Sequence, residues 1–148
     1  MIHLKIVTPE RVLLDEQVES VTLPTDMGEI TVLPNHIPLI SNLKAGELMY
    51  KKAGVENFLA SSSGVIEVKG RNEIVVLAQT AEFGHEIDVN RAEQARERAR
   101  KLMAESQTDE KIFTEATAGL ERHLARLKVA RKHRTHTHRN LESGALKE

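Results

Sequence analysis

The chain reads as a β plus α protein, an N-terminal β-sandwich followed by a C-terminal antiparallel two-helix hairpin. Three observations predict this. Over residues 1–86, short Val- and Ile-rich runs are broken by turn residues roughly every ten positions, the spacing of a sandwich or barrel. From Ile87 the composition turns to Ala, Arg, Glu, Leu and Lys with no proline, which is helix composition. One cluster, Ser106-Gln107-Thr108-Asp109, interrupts that stretch, and so short a connection makes the two helices antiparallel neighbours.

The elements follow in order. Ile2, Leu4 and Ile6 alternate with His3 and Lys5, a strand with one buried face. Met27 to Leu43 contains Pro34 and Pro38, and proline cannot donate to a ladder, so this stretch reads as a strand, a rigid turn and an edge segment. Ile74 to Ala78 is a continuous apolar run, expected as a fully buried strand. Asp88 is placed to cap the first helix, whose apolar side is Val89, Ala92, Ala95, Ala99, Leu102 and Met103. Asp109 offers a fresh cap, and the second helix carries the stripe Phe113, Ala116, Leu120, Leu124 and Leu127 to about Arg134. Beyond Thr135 the periodicity ends. The division is therefore 1–86, 87–134, and a flexible basic and histidine-containing tail at 135–148.

The first helix presents mostly alanine, which buries little beside the ~1.5–3 kcal/mol of a buried Leu or Val. Gly119 weakens the second helix by about 1 kcal/mol relative to alanine. A hairpin so loosely held can undock without unfolding the strand domain, which suggests a switch.

The 148 residues are 40% apolar and 29% charged, an ordinary globular composition for one domain plus an appendage. The chain has no cysteine, which excludes disulfides, thiol catalysis and thiolate metal sites. Its only aromatics are Tyr50, Phe58, Phe83 and Phe113, too few to stack single-stranded bases. No apolar signal segment opens the chain and no run is long enough to span a bilayer, so it is expected to be intracellular and soluble, without direct bilayer insertion. Residues 1–86 carry 7 Lys and Arg against 12 Asp and Glu, while residues 87–148 carry 14 against 10. The basic half either meets an acidic partner or a phosphate, or simply presents a solvated helix face.

No phosphate-loop, dinucleotide-binding, serine-hydrolase or H-E-x-x-H pattern occurs, which argues against catalysis by this chain alone. No metal site is expected in the folded part. His133, His136 and His138 are close enough in sequence to bind zinc or nickel, but in a tail they lack a fixed second shell. A basic second helix could alternatively serve a nucleic-acid-binding module. The acidic strand domain, the few aromatics and the absence of a recognised motif speak against nucleic acid.

Four pieces occur together: Leu23-Pro24, Gly28-Glu29, Val32-Leu33-Pro34-Asn35-His36-Ile37-Pro38-Leu39-Ile40, and Ile87-Asp88-Val89-Asn90-Arg91-Ala92. In this combination, and with a helical hairpin behind them, residues 1 to about 134 resemble the epsilon subunits of bacterial F-type ATP synthases. Locally, the proline-rich piece also reads as a stiffened turn with His36 on its surface. The resemblance implies a central-stalk subunit of a proton-translocating synthase, at the cytoplasmic face of the plasma membrane. Its partners are then the gamma subunit, the ring of c subunits and the alpha/beta catalytic hexamer. Gly28, Glu29 and His36 are implied to face the c-ring and gamma.

The resemblance also implies that the helical half inhibits ATP hydrolysis by reaching an acidic segment of the beta subunit. The charge suits that role: Arg122, Arg126, Lys128, Arg131, Lys132 and Arg134 make the second helix attractive to an acidic surface. No cofactor is required, but ATP is an expected regulatory ligand, because Ile87-Asp88-Val89-Asn90-Arg91-Ala92 matches a motif of family members that bind ATP on the folded hairpin. By position, the remaining contacts are Glu82, Arg98, Arg122 and Arg126. Arg91 and Arg98 share one helix face, and Arg122 and Arg126 lie one turn apart on the other helix, so two pairs can converge on a triphosphate. The same residues also read as an ordinary N-cap and solvated arginines balanced by Glu93, Glu97 and Glu121.

Overall fold

The computed structural model describes residues 1–145; the side chains of 136–138 and 140–145, and residues 146–148 altogether, fall outside that description. Ten strands come first: β1 (Ile2–Val7), β2 (Val12–Val18), β3 (Ser20–Thr25), β4 (Gly28–Val32), β5 (Leu39–Leu43), β6 (Gly46–Lys52), β7 (Val55–Ser61), β8 (Gly64–Lys69), β9 (Glu73–Ala78) and β10 (Ala81–Phe83). A 3-10 turn at Gly84–Glu86 leads into two helices, α1 (Val89–Glu105) and α2 (Glu110–Ala145).

The strands form one continuous sheet folded over itself, in the order β10-β7-β6-β3-β5-β8-β9-β1-β2, with β4 paired to β3. The fold line is the junction of β3 and β5, joined only at Thr25 and Leu43. This is the expected sandwich, closed at one corner in the manner of a barrel. Every pairing is antiparallel except β1 with β9. The predicted alternation in β1 holds: Ile2, Leu4 and Ile6 are buried in one cluster with Val21, Leu23, Leu48, Leu59, Ile66, Ile74 and Val76.

Three expectations need correction. The first concerns β9, whose apolar run is only half buried: Leu77 is 51% exposed. The register places Val65 of β8 opposite Leu77, and Ile40 of β5 is also exposed, so the outer face of β5, β8 and β9 shows three exposed apolar side chains, interleaved with Asn42 and Glu67.

The second concerns the helix stripes. Leu102, Phe113 and Leu124 are exposed, whereas Ala92, Ala116, Ala125, Leu127, Val129 and Ala130 are buried. The reason is that α2 has two partners. Its middle lies on the sheet, where Ala125, Leu127, Val129 and Ala130 cluster with Ala60 of β7, Ile87 and Ala92, flanked by Phe58 and Val89. Small side chains let helix and sheet approach closely. A Cβ on Gly84 would stand 2.8 Å from the Cβ of His133 and 3.2 Å from the Val129 carbonyl oxygen, so glycine there permits the seating of α2.

The third concerns length. α2 continues to Ala145 instead of ending near Arg134. The apolar stripe stops, but nothing between Thr135 and Leu141 breaks a helix, and helical backbone needs no stripe to propagate once nucleated. The histidine tail thus belongs to the helix backbone. The side chains of His136 and His138, and with them that metal reading, lie outside the described residues. Among the described residues no group of three or more His, Cys, Asp or Glu could hold a metal ion.

Candidate functional site: an arginine-lined cleft beside the hairpin

Five of the residues singled out in the sequence meet in one cleft of about 640 Å³. Glu82 comes from β10, Arg91 and Arg98 from α1, and Arg122 and Arg126 from α2. The helix periodicities deliver this: α1 and α2 pack side by side, and each turns one pair of arginines toward β10. The loop between β1 and β2 closes the fourth side with Arg11 and Glu10. Five arginines and three glutamates line the cavity, leaving it electropositive.

Arg126 is the ordered member of the set. Its Nε donates to Glu82 Oε2 at 2.6 Å and its Nη2 to Glu82 Oε1 at 3.3 Å, a two-pronged pair with the Arg126 side chain only 17% exposed. Arg91, Arg98 and Arg122 are exposed and make no ion pair with a carboxylate among the described contacts. They are free to move onto an anion.

Ile87, Asp88 and Ala92 play a different structural part. Ile87 and Ala92 are buried in the hairpin cluster. The Asp88 carboxylate accepts from the Arg91 amide at 3.1 Å, the N-cap that the sequence suggested. Ile87 and Asp88 also line a neighbouring recess with His85 and His133, whose rings are 6.0 Å apart.

Two members of the site carried no sequence signal. Glu86 caps the 3-10 turn: its Oε2 accepts from the Phe83 amide and its Oε1 from Arg11 Nη2, both at 3.0 Å. Burial works against its charge, but the Phe83 amide and the Arg11 guanidinium outweigh burial and hold the carboxyl below the ordinary glutamate range. The stability that this confers is complete above about pH 5 and is lost as pH falls through the lowered value. Glu86→Gln is expected to flatten the acid limb of the unfolding free energy, measured by denaturant titration at several pH values between about 3 and 6. The second is His123, half-buried on α2 among the arginines.

The six residues of the basic helix divide in two. Arg126 is held by Glu82. Lys132 donates to Glu47 Oε1 at 2.5 Å and sits 4.5 Å above the Phe58 ring. Arg122, Lys128, Arg131 and Arg134 are exposed. The other contact set comes from two places on the chain: Gly28 and Glu29 begin β4, and His36 follows the turn beyond its other end.

Known proteins show the same plan. Residues 1–84 match the family model of the ATP synthase delta/epsilon chain beta-sandwich domain, and residues 85–131 match that of its long alpha-helix domain. The ATP synthase epsilon chain of Syntrophobacter fumaroxidans is 47% identical over 131 residues, covering 88% of this chain and 96% of that one. This chain belongs to the ATP synthase epsilon family.

The epsilon chain of Carboxydothermus hydrogenoformans is 52% identical over 103 residues, 70% of this chain and 76% of that one. Among solved structures, a chain of the Euglena gracilis mitochondrial ATP synthase, from its OSCP/F1/c-ring portion, superimposes with a TM-score of 0.75 at 25% identity, covering 87% of this epsilon chain and 80% of that chain. The recognised family and the sandwich-plus-hairpin fold both agree with the sequence reading. No helix of the described residues is long and apolar enough to cross a membrane.

Proposed function

We propose that this epsilon chain is a non-catalytic rotor subunit whose hairpin restrains ATP hydrolysis when extended, and that ATP in the arginine-lined cleft holds the hairpin down. The rotor role comes from the family, the exposed Ile40, Val65 and Leu77 on β5, β8 and β9 being suited to the gamma subunit. Gly28 and Glu29 on one side of β4, and His36 with exposed Ile37 on the other, offer a broad edge to the c-ring. The chain then sits peripherally at the cytoplasmic face of the plasma membrane, coupling proton-driven rotation to synthesis on other subunits.

The observation that carries the latch is the convergence of Glu82, Arg91, Arg98, Arg122 and Arg126 from three elements on one cavity of ligand size. Such a site exists only while α1 and α2 are docked. A ligand that binds only this form stabilises it by RT ln(1 + [L]/Kd), about 1.4 kcal/mol at ten times Kd, which is a tenfold shift. That suffices for a hairpin joined by alanine contacts. Undocking would free Arg126 and Lys132 to join the exposed basic residues of α2 against the beta subunit.

Calorimetric titration of ATP into the full chain is expected to give saturable heat. Arg91→Ala and Arg126→Ala should each weaken binding by about tenfold or more, as loss of a charge-assisted contact implies. No heat at millimolar ATP would remove the latch while leaving the rotor role intact. Co-purification with a rotary complex containing a gamma subunit tests the latter.

A further inference from the structure

His123 is the one imidazole lining the arginine cleft among the described residues. Its Nδ1 lies 3.4 Å from Nη1 of Arg126. A guanidinium nitrogen can only donate, so in this contact Nδ1 is the acceptor, a role that the neutral Nε2–H tautomer of the ring supplies. Charged groups face the cleft from every wall. On α2 the neighbours are Arg122 and Arg126; on α1 they are Arg98 and Arg91. From the β1–β2 loop and the 3-10 turn come Arg11, Glu10 and Glu86, and from β10 comes Glu82, already engaged by Arg126.

Resting on the reading of this cleft as a nucleotide site, we propose that His123 makes ATP binding proton-linked: it is neutral when the cleft is empty and takes up a proton when a triphosphate enters. Burial first, then Arg122, Arg126 and Arg98, disfavour imidazolium in the empty site, with Glu82 opposing them. Three or four phosphate charges reverse the field felt by the ring. Protonation converts Nδ1 from acceptor to donor. His123 thereby gives up the Arg126 guanidinium and gains a second N–H to offer phosphate oxygens.

The sign of the pH dependence follows. With the cleft empty, a lowered imidazole pKa means that the docked hairpin is fully stable above the ordinary histidine value and loses stability as pH falls through it. With ATP bound, the pKa is raised, so affinity grows as pH falls from the bound value toward the empty one. Each unit of difference between the two adds about tenfold to the affinity. The nucleotide's own terminal phosphate works the other way, losing charge in acid. Mild acidification thus loosens an empty hairpin and tightens a filled one.

The test is calorimetry of ATP into the full chain near pH 6.5 in two buffers of different ionisation enthalpy, for wild type and His123→Gln. The imidazole resonances of the wild-type chain are followed by NMR against pH with and without saturating ATP. The expected result is net proton uptake by wild type that H123Q lacks, a shortfall in H123Q affinity of about tenfold at pH 6 that closes by pH 8.5, and a His123 resonance whose midpoint rises with ATP. ATP binding with equal proton uptake in both proteins, or an unmoved His123 midpoint, overturns the proposal while leaving the nucleotide latch standing. Absence of ATP heat in wild type at both pH extremes overturns both. The NMR readout on wild type holds even where H123Q perturbs the helix.

Discussion

Replacing Glu47 and Glu82 with glutamine is expected to speed amide exchange along residues 120–134 of α2 by about tenfold to a hundredfold in nucleotide-free protein, with β1 and β9 unchanged. These carboxylates are the sheet's ionic holds on the helix: Glu82 grips Arg126 and Glu47 grips Lys132. Hydrogen bonds to charged groups contribute roughly 1.5–3 kcal/mol, and the Glu47 side chain is only 13% exposed. The rest of the contact is modest: Ala60, Ala92, Ala125 and Ala130 each bury little area, and Ile87, Leu127 and Val129 are its larger members. Removing the two holds therefore acts on a margin already thin. Exchange along 120–134 unchanged from wild type would mean that apolar contact alone seats the helix. The proposed inhibitory role has its own readout: if it holds, freeing Arg126 and Lys132 lowers ATP hydrolysis by the assembled complex.

Gly64→Ala is expected to cost roughly 3 kcal/mol or more and lower Tm by about 10 °C, an overpacking penalty at the top of the usual range. Gly64 opens β8 and pairs with Leu43 on one side and Ala78 on the other, beside the corner where the sheet folds over. A Cβ there would lie 1.9 Å from the Leu77 carbonyl oxygen and 2.9 Å from the Ala78 Cα. Both are backbone atoms and cannot step aside as a side chain can. Strands β8 and β9 would have to separate at the junction that closes the sandwich. Gly119→Ala is the natural comparison. Nothing lies within 4 Å of its position, so that substitution should stabilise α2 by up to about 1 kcal/mol. Thermal unfolding of the two variants side by side separates lack of space from loss of glycine as such.

The fold was legible wherever local pattern and tertiary role agree. Alternation in Ile2–Ile6 marks a strand with one buried face because the pleat itself has a period of two. The shift at Ile87 marks the helices because alanine, arginine and glutamate favour that backbone wherever they pack. Reading failed where an element answers to more than one neighbour. The stripe on α2 was drawn for a single partner helix, so Leu124 was expected inside and Val129 was not, although β7 buries the latter. Leu77 looked like core because nothing in a sequence distinguishes a residue under a second layer from one awaiting another protein.

The cleft shows the same limit. Arg91, Arg98, Arg122 and Arg126 were traceable from spacing and resemblance. His123 was not, because its meaning depends on Arg98 and Glu82, groups distant in sequence that only the packed hairpin brings near. Glu86 was hidden for the same reason: its partner, Arg11, is 75 residues away.

The face of β7 beneath α2 carries Ala60 and Phe58 beside β10, a three-residue strand at the rim of the sheet. When the helix lifts away, that greasy strip and a largely unprotected margin of backbone are laid bare together. Exposed apolar area next to an open strand margin favours association between chains, so the docked helix covers the part of this sheet most prone to it.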